Sequence, residues 1–389
     1  MLKNKIGYGF FLLFFGLFAI LYNEYFTGVL FLAMCFFPIA LLILCAISLT
    51  GISCKLTSPA FVKNKGEEFP IIVQITNNSF LPVSKMKIVI AYYNHFDKKR
   101  VKETLQVSMD KRSTQEVRMH MTSAYCGNII IQLTSIRIYD LLHIWSLRKR
   151  SKESLLIPVL PNIHIEEKDI IEENNKIEIE SNQFSPYKGG DDPSEVFQIR
   201  EYREGDKINR VHWKLTFKQD ELMMKEFSHP LNSNILLALD FTMRERMGNR
   251  IEIMDALLEC IMSLEFSLLE HEHTFSVVWI DVQKEEMKVD ISNDSGVYEL
   301  MDYLLQRNVE ESKSILEGTS IDSTKVYSHI LYITSMIDVE AVLNMVNSRR
   351  DTIVYLYYVR ESQYALREEE RKVLEELLIQ IYEIEIKAV

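Results

Sequence analysis

The densest run of chemistry-bearing side chains reads Arg200-Glu201-Tyr202-Arg203-Glu204-Gly205-Asp206-Lys207-Ile208-Asn209-Arg210-Val211-His212-Trp213-Lys214. An imidazole at His212 with a carboxylate at Asp206 or Glu201 is the material of general acid–base catalysis, so a hydrolase built on these groups is one reading. It requires the groups to converge in a solvent-open pocket, and no Ser, Cys or carboxylate stands at a spacing that by itself makes His212 a base. The structural reading needs less. Gly205 makes a tight turn, Asp206 caps a short helical piece holding Val211-His212-Trp213, and Trp213 is its apolar anchor. His212 and the arginines then hydrogen-bond backbone at a packed junction. A β-like run at 221–227, containing Glu226, follows.

Two other places invite chemistry. Asp240-Phe241-Thr242-Met243-Arg244 closes an apolar run, and Thr334-Ser335-Met336 closes a later one. His271-Glu272-His273 departs from the H-E-x-x-H zinc pattern, and helix residues two apart do not face each other, so it reads as a polar turn. The chain has no Gly-Lys dipeptide for a phosphate loop, no G-x-G-x-x-G and no G-x-S-x-G.

The elements that must position these residues alternate. From 233 to 389, strands at 234–241, 275–281, 330–334, 353–359 and 382–386 are separated by helical spacing at 251–270, 297–306, 339–346 and 364–380, the last long and charged. Continuous apolar strands between amphipathic helices predict a doubly wound parallel sheet covered on both faces, with ligands at the carboxyl ends of the strands. Residues 55–160 hold short β-branched runs at 69–76, 85–93, 101–109, 117–121 and 129–138 with turn signals between, which predicts a small antiparallel β-sandwich. An acidic linker at 161–184 precedes the 185–232 segment that carries the His212 run.

The 389 residues carry a net charge of −11. Residues 1–50 contain only Lys3, Lys5 and Glu24 as charges, which leaves −12 on the rest and argues against a nucleic-acid partner. Residues 6–22 and 26–54 are uncharged, and two spans joined at Asn23-Glu24-Tyr25 predict an antiparallel transmembrane hairpin over 1–54. Lys3 and Lys5 before it and Lys55, Lys63 and Lys65 after it, with none in the loop, place both ends and the large remainder in the cytoplasm. The five cysteines are scattered without a C-x-x-C pair, so neither disulfides nor a thiolate zinc site is expected.

The 200–214 segment resembles the signature of the bacterial family called domain of unknown function fifty-eight, an Arg-Glu-Tyr…Gly-Asp…His-Trp-Lys motif. Arg200, Glu201, Tyr202, Gly205, Asp206, His212, Trp213 and Lys214 match it, and Met224-Lys225-Glu226-Phe227 resembles the strand that follows. Tyr125-Cys126-Gly127 and Tyr139-Asp140-Leu141-Leu142 resemble the family's glycine strand entry and Asp-centred corner, with Cys126 where Arg is usual and no Pro after Asp140. The resemblance implies a von Willebrand factor type A-like domain after 233. In such domains an Asp-x-Ser-x-Ser run and a later Thr-Asp-Gly hold Mg²⁺. Here Asp240 and Thr242 keep two oxygens, Arg244 stands where a third belongs, and Ser335 stands where the aspartate belongs, so the metal site is expected to be degenerate, with Arg244 pairing Asp240 in place of the ion. No cofactor is expected unless Mg²⁺ still binds at Asp240, which would make the site a metal-dependent ligand-binding one.

The resemblance further implies a partner of the MoxR class of AAA+ ATPases and a transglutaminase-like membrane protein as companion, in envelope assembly or stress. The preferred expectation is a non-enzymatic, membrane-tethered cytoplasmic adaptor in contact with the lipid bilayer. The alternatives are the hydrolase and the Mg²⁺-dependent site.

Overall fold

The computed structural model describes residues 2–22, 24–59, 62–97, 99–163, 184–190, 192–201, 203, 211–212, 214–216, 221, 223–230, 235–243, 249–281, 285–307, 314–316, 327–347 and 352–386, with backbone alone at 184–198 and 226–230. The chain forms two compact units, Met1–Pro161 and Asn162–Val389.

The first unit begins with α1 (Leu2–Tyr22) and α2 (Tyr25–Gly51), an antiparallel pair long and apolar enough to cross a membrane. At 1.5 Å per residue α1 is about 32 Å long, close to the ~30 Å of a bilayer's hydrocarbon core. Apolar residues surround both helices, so in water neither has a polar face to expose. Gly16 lets the Phe31 ring approach, and a Cβ there would lie 3.2 Å from it.

Nine strands follow: β1 (Ile52–Thr57), β2 (Lys63–Asn64), β3 (Phe69–Asn77), β4 (Val83–Asn94), β5 (Val101–Met109), β6 (Ser113–Met121), β7 (Gly127–Tyr139), β8 (Ser146–Arg150) and β9 (Ser154–Leu160). They make two sheets, β1-β3-β6 and β2-β9-β7-β4-β5, with β8 on β7. Every pairing is antiparallel except β2 with β9. Alternate residues such as Phe69, Ile71, Val73 and Ile75 of β3 and Met86, Ile88 and Ile90 of β4 point into one shared core. Cys45 of α2 joins that core, so the second helix is seated on the β layer. Burial pushes the Cys54 thiol up to about 11, which leaves it an inert core residue.

Gly127 opens β7 at φ +124°, a region that L-residues avoid, and a Cβ there would stand 2.5 Å from Asn94 Oδ1. Asn94 is not free to yield, because its Nδ2 donates to Cys126 O at 2.8 Å and its Oδ1 accepts from the Phe96 N–H at 3.0 Å.

In the second unit, β10 (Phe184–Gly190), β11 (Asp192–Glu201) and β12 (Met223–Pro230) form a small antiparallel sheet in the order β10-β12-β11. The rest alternates as β13 (Ile235–Asp240), α3 (Arg250–Glu270), β14 (Phe275–Ile280), β15 (Glu286–Ile291), α4 (Asp294–Leu305), β16 (His329–Thr334), α5 (Val339–Asn347), β17 (Ile353–Arg360), α6 (Glu368–Glu376) and β18 (Gln380–Glu385). The strands make one six-stranded sheet, β15-β14-β13-β16-β17-β18. Renumbered within the unit this is 3-2-1-4-5-6, a doubly wound order, with β15 antiparallel at one edge and every other pairing parallel.

Ile330, Tyr332, Val354 and Leu356 share a core with Val342 and Met345 of α5 and Leu374 of α6. Two expectations are corrected here. The sheet is mixed, because the strictly alternating Glu286-Met287-Lys288-Val289-Asp290-Ile291 folds back on β14 as an edge strand. The long helix over 364–380 is a 3-10 turn at Ser362–Tyr364 followed by the nine-residue α6. Ala365 and Arg367 are extended, Glu370 caps the Arg367 N–H, and Leu378 at φ +61° ends the helix in a left-handed cap.

Glu265 of α3 is fully buried, and neither of its carboxylate oxygens has a hydrogen-bond partner among the described residues. Burial raises its pKa well above the ordinary 4.5.

Two stability outcomes follow from these positions. Gly127→Ala should destabilise the first unit by about 1–3 kcal/mol through strain and the Asn94 clash, and an unchanged melting temperature would show the position tolerates a Cβ. For Glu265, the folded chain keeps a proton that the unfolded chain releases above about 4.5, so stability is highest below that pH and falls as pH rises toward the folded pKa. Glu265→Gln should therefore melt like the parent near pH 4.5 and progressively above it at neutral and mildly alkaline pH. A pH-independent difference would contradict a protonated Glu265.

Candidate functional site at the strand ends

Backbone pairing places Asp240 beside Thr334, at the carboxyl ends of the adjacent parallel strands β13 and β16. These strands flank the point where the order of the sheet reverses, the place where open α/β sheets bind ligands. Asp240 is only 2% exposed, and an ionised carboxylate survives there only if donors surround it. It has four. Oδ1 accepts from the Thr242 N–H at 2.9 Å and from the Thr242 hydroxyl. Oδ2 accepts from Ser314 Oγ at 2.6 Å and Tyr332 Oη at 2.7 Å. Burial, and after it the Asp240 charge, hold the Tyr332 phenol well above its usual 10, which keeps it a donor.

The second strand end is tied to the first. Ser335 Oγ donates to Thr242 O at 2.8 Å, while Thr334 Oγ1 donates to Met336 O at 2.8 Å and accepts from the Met336 N–H at 3.1 Å. The structure places Asp240, Thr242 and Ser335 together, with Ser314 and Tyr332, which the sequence reading did not single out, beside them.

Arg244, expected to stand in for a cation, lies outside the described residues. Among the described residues, Arg307, just beyond α4, lies in electrostatic range of Asp240. Arg307 is 5% exposed, and its guanidinium lies 4.5 Å from the centroid of the Phe241 ring. Burial lowers its pKa, while Asp281, Tyr303 and Asp240 act to raise it. Its Nε and Nη1 have no hydrogen-bond partner among the described residues.

A Mg²⁺ ion of the type A kind fits these residues poorly. Both Asp240 oxygens are taken up by four protein donors, Ser335 replaces an anionic ligand, and a buried guanidinium stands nearby. Among the described residues no three His, Cys, Asp or Glu side chains converge as metal ligands.

In the signature segment, Tyr202, Gly205, Asp206 and Trp213 lie outside the described residues, as does most of the acidic linker. Arg200 and Glu201 end β11, Lys214 is exposed, and Glu226 lies on β12. Val211 is buried and bridges Met224. The His212 N–H donates to Met223 O at 2.8 Å, and Thr216 Oγ1 accepts from the Met223 N–H at 3.1 Å. His212 Nδ1 accepts from the Leu215 N–H at 3.1 Å, capping a turn that continues with Thr216 N–H donating to His212 O.

Both polar backbone groups of Met223 thus face the 212–216 side, while Glu201 pairs with Met223 from the other side. Two strand spacings, roughly 10 Å, separate the Glu201 and His212 backbones. The His271-Glu272-His273 run forms a turn in which Glu272 is left-handed and His271 Nδ1 donates to Ser267 O at 2.8 Å.

The fold and site define a doubly wound α/β domain with a self-satisfied polar strand end. Residues 198–362 match the family model described as "Protein of unknown function DUF58". The sequence matches no curated protein. Among solved structures, the CARDB domain of the PF1109 protein from Pyrococcus furiosus is 12% identical, over 28% of this chain and 91% of that one, with a TM-score of 0.22. A β-glucosidase from Listeria innocua is 17% identical over 28% of this chain and 16% of that one, with a TM-score of 0.20. The C-terminal domain of wzt is 9% identical over 29% and 75%, with a TM-score of 0.23.

Tyr332→Phe keeps the packing and removes one donor from a buried carboxylate, which should cost about 1.5–3 kcal/mol. Millimolar Mg²⁺ should leave the melting temperature of the parent chain unchanged. A Mg²⁺-dependent rise that Asp240→Asn abolishes would mean that the carboxylate is open to a metal after all.

Proposed function

We propose that the chain is a membrane-tethered adaptor whose C-terminal domain and 200–214 segment bind other proteins on the cytoplasmic side. The observation that carries this reading is the saturation of Asp240. The Asp240 carboxylate at the sheet's switch point is spent on fixing the ends of β13 and β16, so it shapes a rigid surface instead of presenting a reacting group. The 3-2-1-4-5-6 order with an antiparallel edge strand supports a von Willebrand factor type A-like domain, here working without its ion. The lysines on both flanks of the α1–α2 pair support a two-span hairpin with both termini in the cytoplasm.

The hydrolase reading is weaker, because His212 Nδ1 is engaged by the Leu215 N–H and Glu201 approaches β12 from the opposite side. The family resemblance supplies the partner, a MoxR-type AAA+ ATPase, with a transglutaminase-like membrane protein as a further companion in envelope assembly or stress.

The test uses the full-length tagged chain in detergent with a co-expressed MoxR-type ATPase. The parent should retain the ATPase, and Arg200→Ala or Trp213→Ala should lower retention several-fold without changing the melting temperature. No retention by the parent would overturn the partnership. Retention unaffected by either substitution would remove the segment as the docking surface.

A further inference from the structure

Where α1 and α2 meet the turn between β7 and β8, the first unit has an open groove of about 370 Å³, within the ~300–1,000 Å³ range of small-molecule sites. Gly7, Tyr8, Phe11, Met34, Phe37 and Leu142 wall it, almost wholly with apolar atoms. Its frame is fixed by specific bonds. Asn4 Nδ2 donates to Leu142 O at 2.8 Å, and Tyr8 Oη donates to Met34 O at 2.7 Å. The 140–145 corner is wound around Asp140, which is buried and accepts the Trp145 N–H on Oδ1 at 2.7 Å and the His143 N–H on its carbonyl at 3.0 Å.

The groove's level follows from the helix register. Gly16 beside Phe31 and Tyr8 beside Met34 bring the start of α1 opposite the stretch of α2 around Ile39. Roughly ten further residues of α2, ~15 Å, run on past α1. In that extension Leu41, Cys45 and Ser48 are buried, while Ile39, Ile43 and Ile47 remain exposed. The corner's tip is also apolar and open, with Leu141 66% and Leu142 41% exposed. Its other end carries charge. Lys5 Nζ stands 5.1 Å from the centroid of the Trp145 ring, and Lys3 lies two residues earlier. An apolar slot beside lysines and an aromatic ring matches the boundary between acyl chains and headgroups.

We propose that this groove holds one acyl chain of an anionic phospholipid from the membrane α1 and α2 cross, with the phosphate facing Lys3 and Lys5. The inference rests on reading the two helices as spans. Gly7 supplies its sharpest test, since a Cβ there would meet nothing within 4 Å, so a larger side chain can fill the groove without forcing the helices apart.

The full-length chain is purified in detergent, stripped of lipid, and offered phosphatidylglycerol and phosphatidylcholine with matched chains, with retention read by native mass spectrometry. One phosphatidylglycerol should be retained, several-fold in preference to phosphatidylcholine. The Lys3→Gln/Lys5→Gln double variant should bring the two lipids to parity, and Gly7→Leu should lose both while keeping its helical circular dichroism. Equal retention of both lipids by the parent, no retention, or a Gly7→Leu chain that binds like the parent would each overturn the proposal. Alkaline carbonate extraction of membranes separates the two readings. A parent chain released by carbonate means the span reading has failed, and one that stays in the membrane while binding no lipid means the groove alone has failed.

Discussion

A carboxylate removed from water must be met by donors, and that requirement at Asp240 organises the second unit. Its partners come from three separate stretches of chain: Thr242 beside it, Ser314 beyond α4, and Tyr332 in the neighbouring strand. One side chain therefore pins the turn after β13, a distant loop residue and the flank of β16 to a single point. Hydrogen bonds to an ionised group are each worth more than neutral ones, and a half-satisfied buried network costs more than an apolar core. The hydroxyls at 242, 314 and 332 are thus requirements of the fold as well as features of the site. Arg307, stacked on Phe241 and nearly buried, supplies positive charge to the same neighbourhood. It adds no direct bond that would compete with those four donors.

The first unit answers a different constraint. A helix with no polar face must find an apolar partner, and α2 finds protein along part of its length. Its first part lies against α1, and its last turns are seated on the β-sheets, where Cys45 belongs to the core and Leu49 packs on it. β1 starts directly where α2 stops, and Lys149 of β8 reaches back to donate to Ile52 O at 3.1 Å. The Asp140 corner continues this junction.

Much of this was legible in the sequence because its signals are local. Period-2 alternation gave β3 and β4, unbroken apolar runs gave β13, β16 and β17, and the two charge-free stretches gave α1 and α2. The errors have local causes too. β15 carries a clean alternation but is short and polar on one side, a weak strand signal beside the apolar β14. The 364–380 stretch has helical composition throughout, yet an extended Ala365–Arg367 entry and a left-handed Leu378 confine the helix to its middle. The site divided along the same line. Asp240, Thr242 and Ser335 could be placed because strand ends mark them, whereas Ser314 and Tyr332 lie 74 and 92 residues away from the carboxylate they serve.

That division explains how the ends of two parallel strands can be held together without an ion. A divalent cation would draw together the loops after β13 and β16 by sharing their oxygens. Here the same loops are drawn together by direct bonds, Thr242 and Ser314 to the carboxylate and Ser335 to the Thr242 carbonyl. Hydroxyl donors achieve with neutral groups what a metal achieves with charge, and they do so at any metal concentration. A surface assembled this way is constitutive.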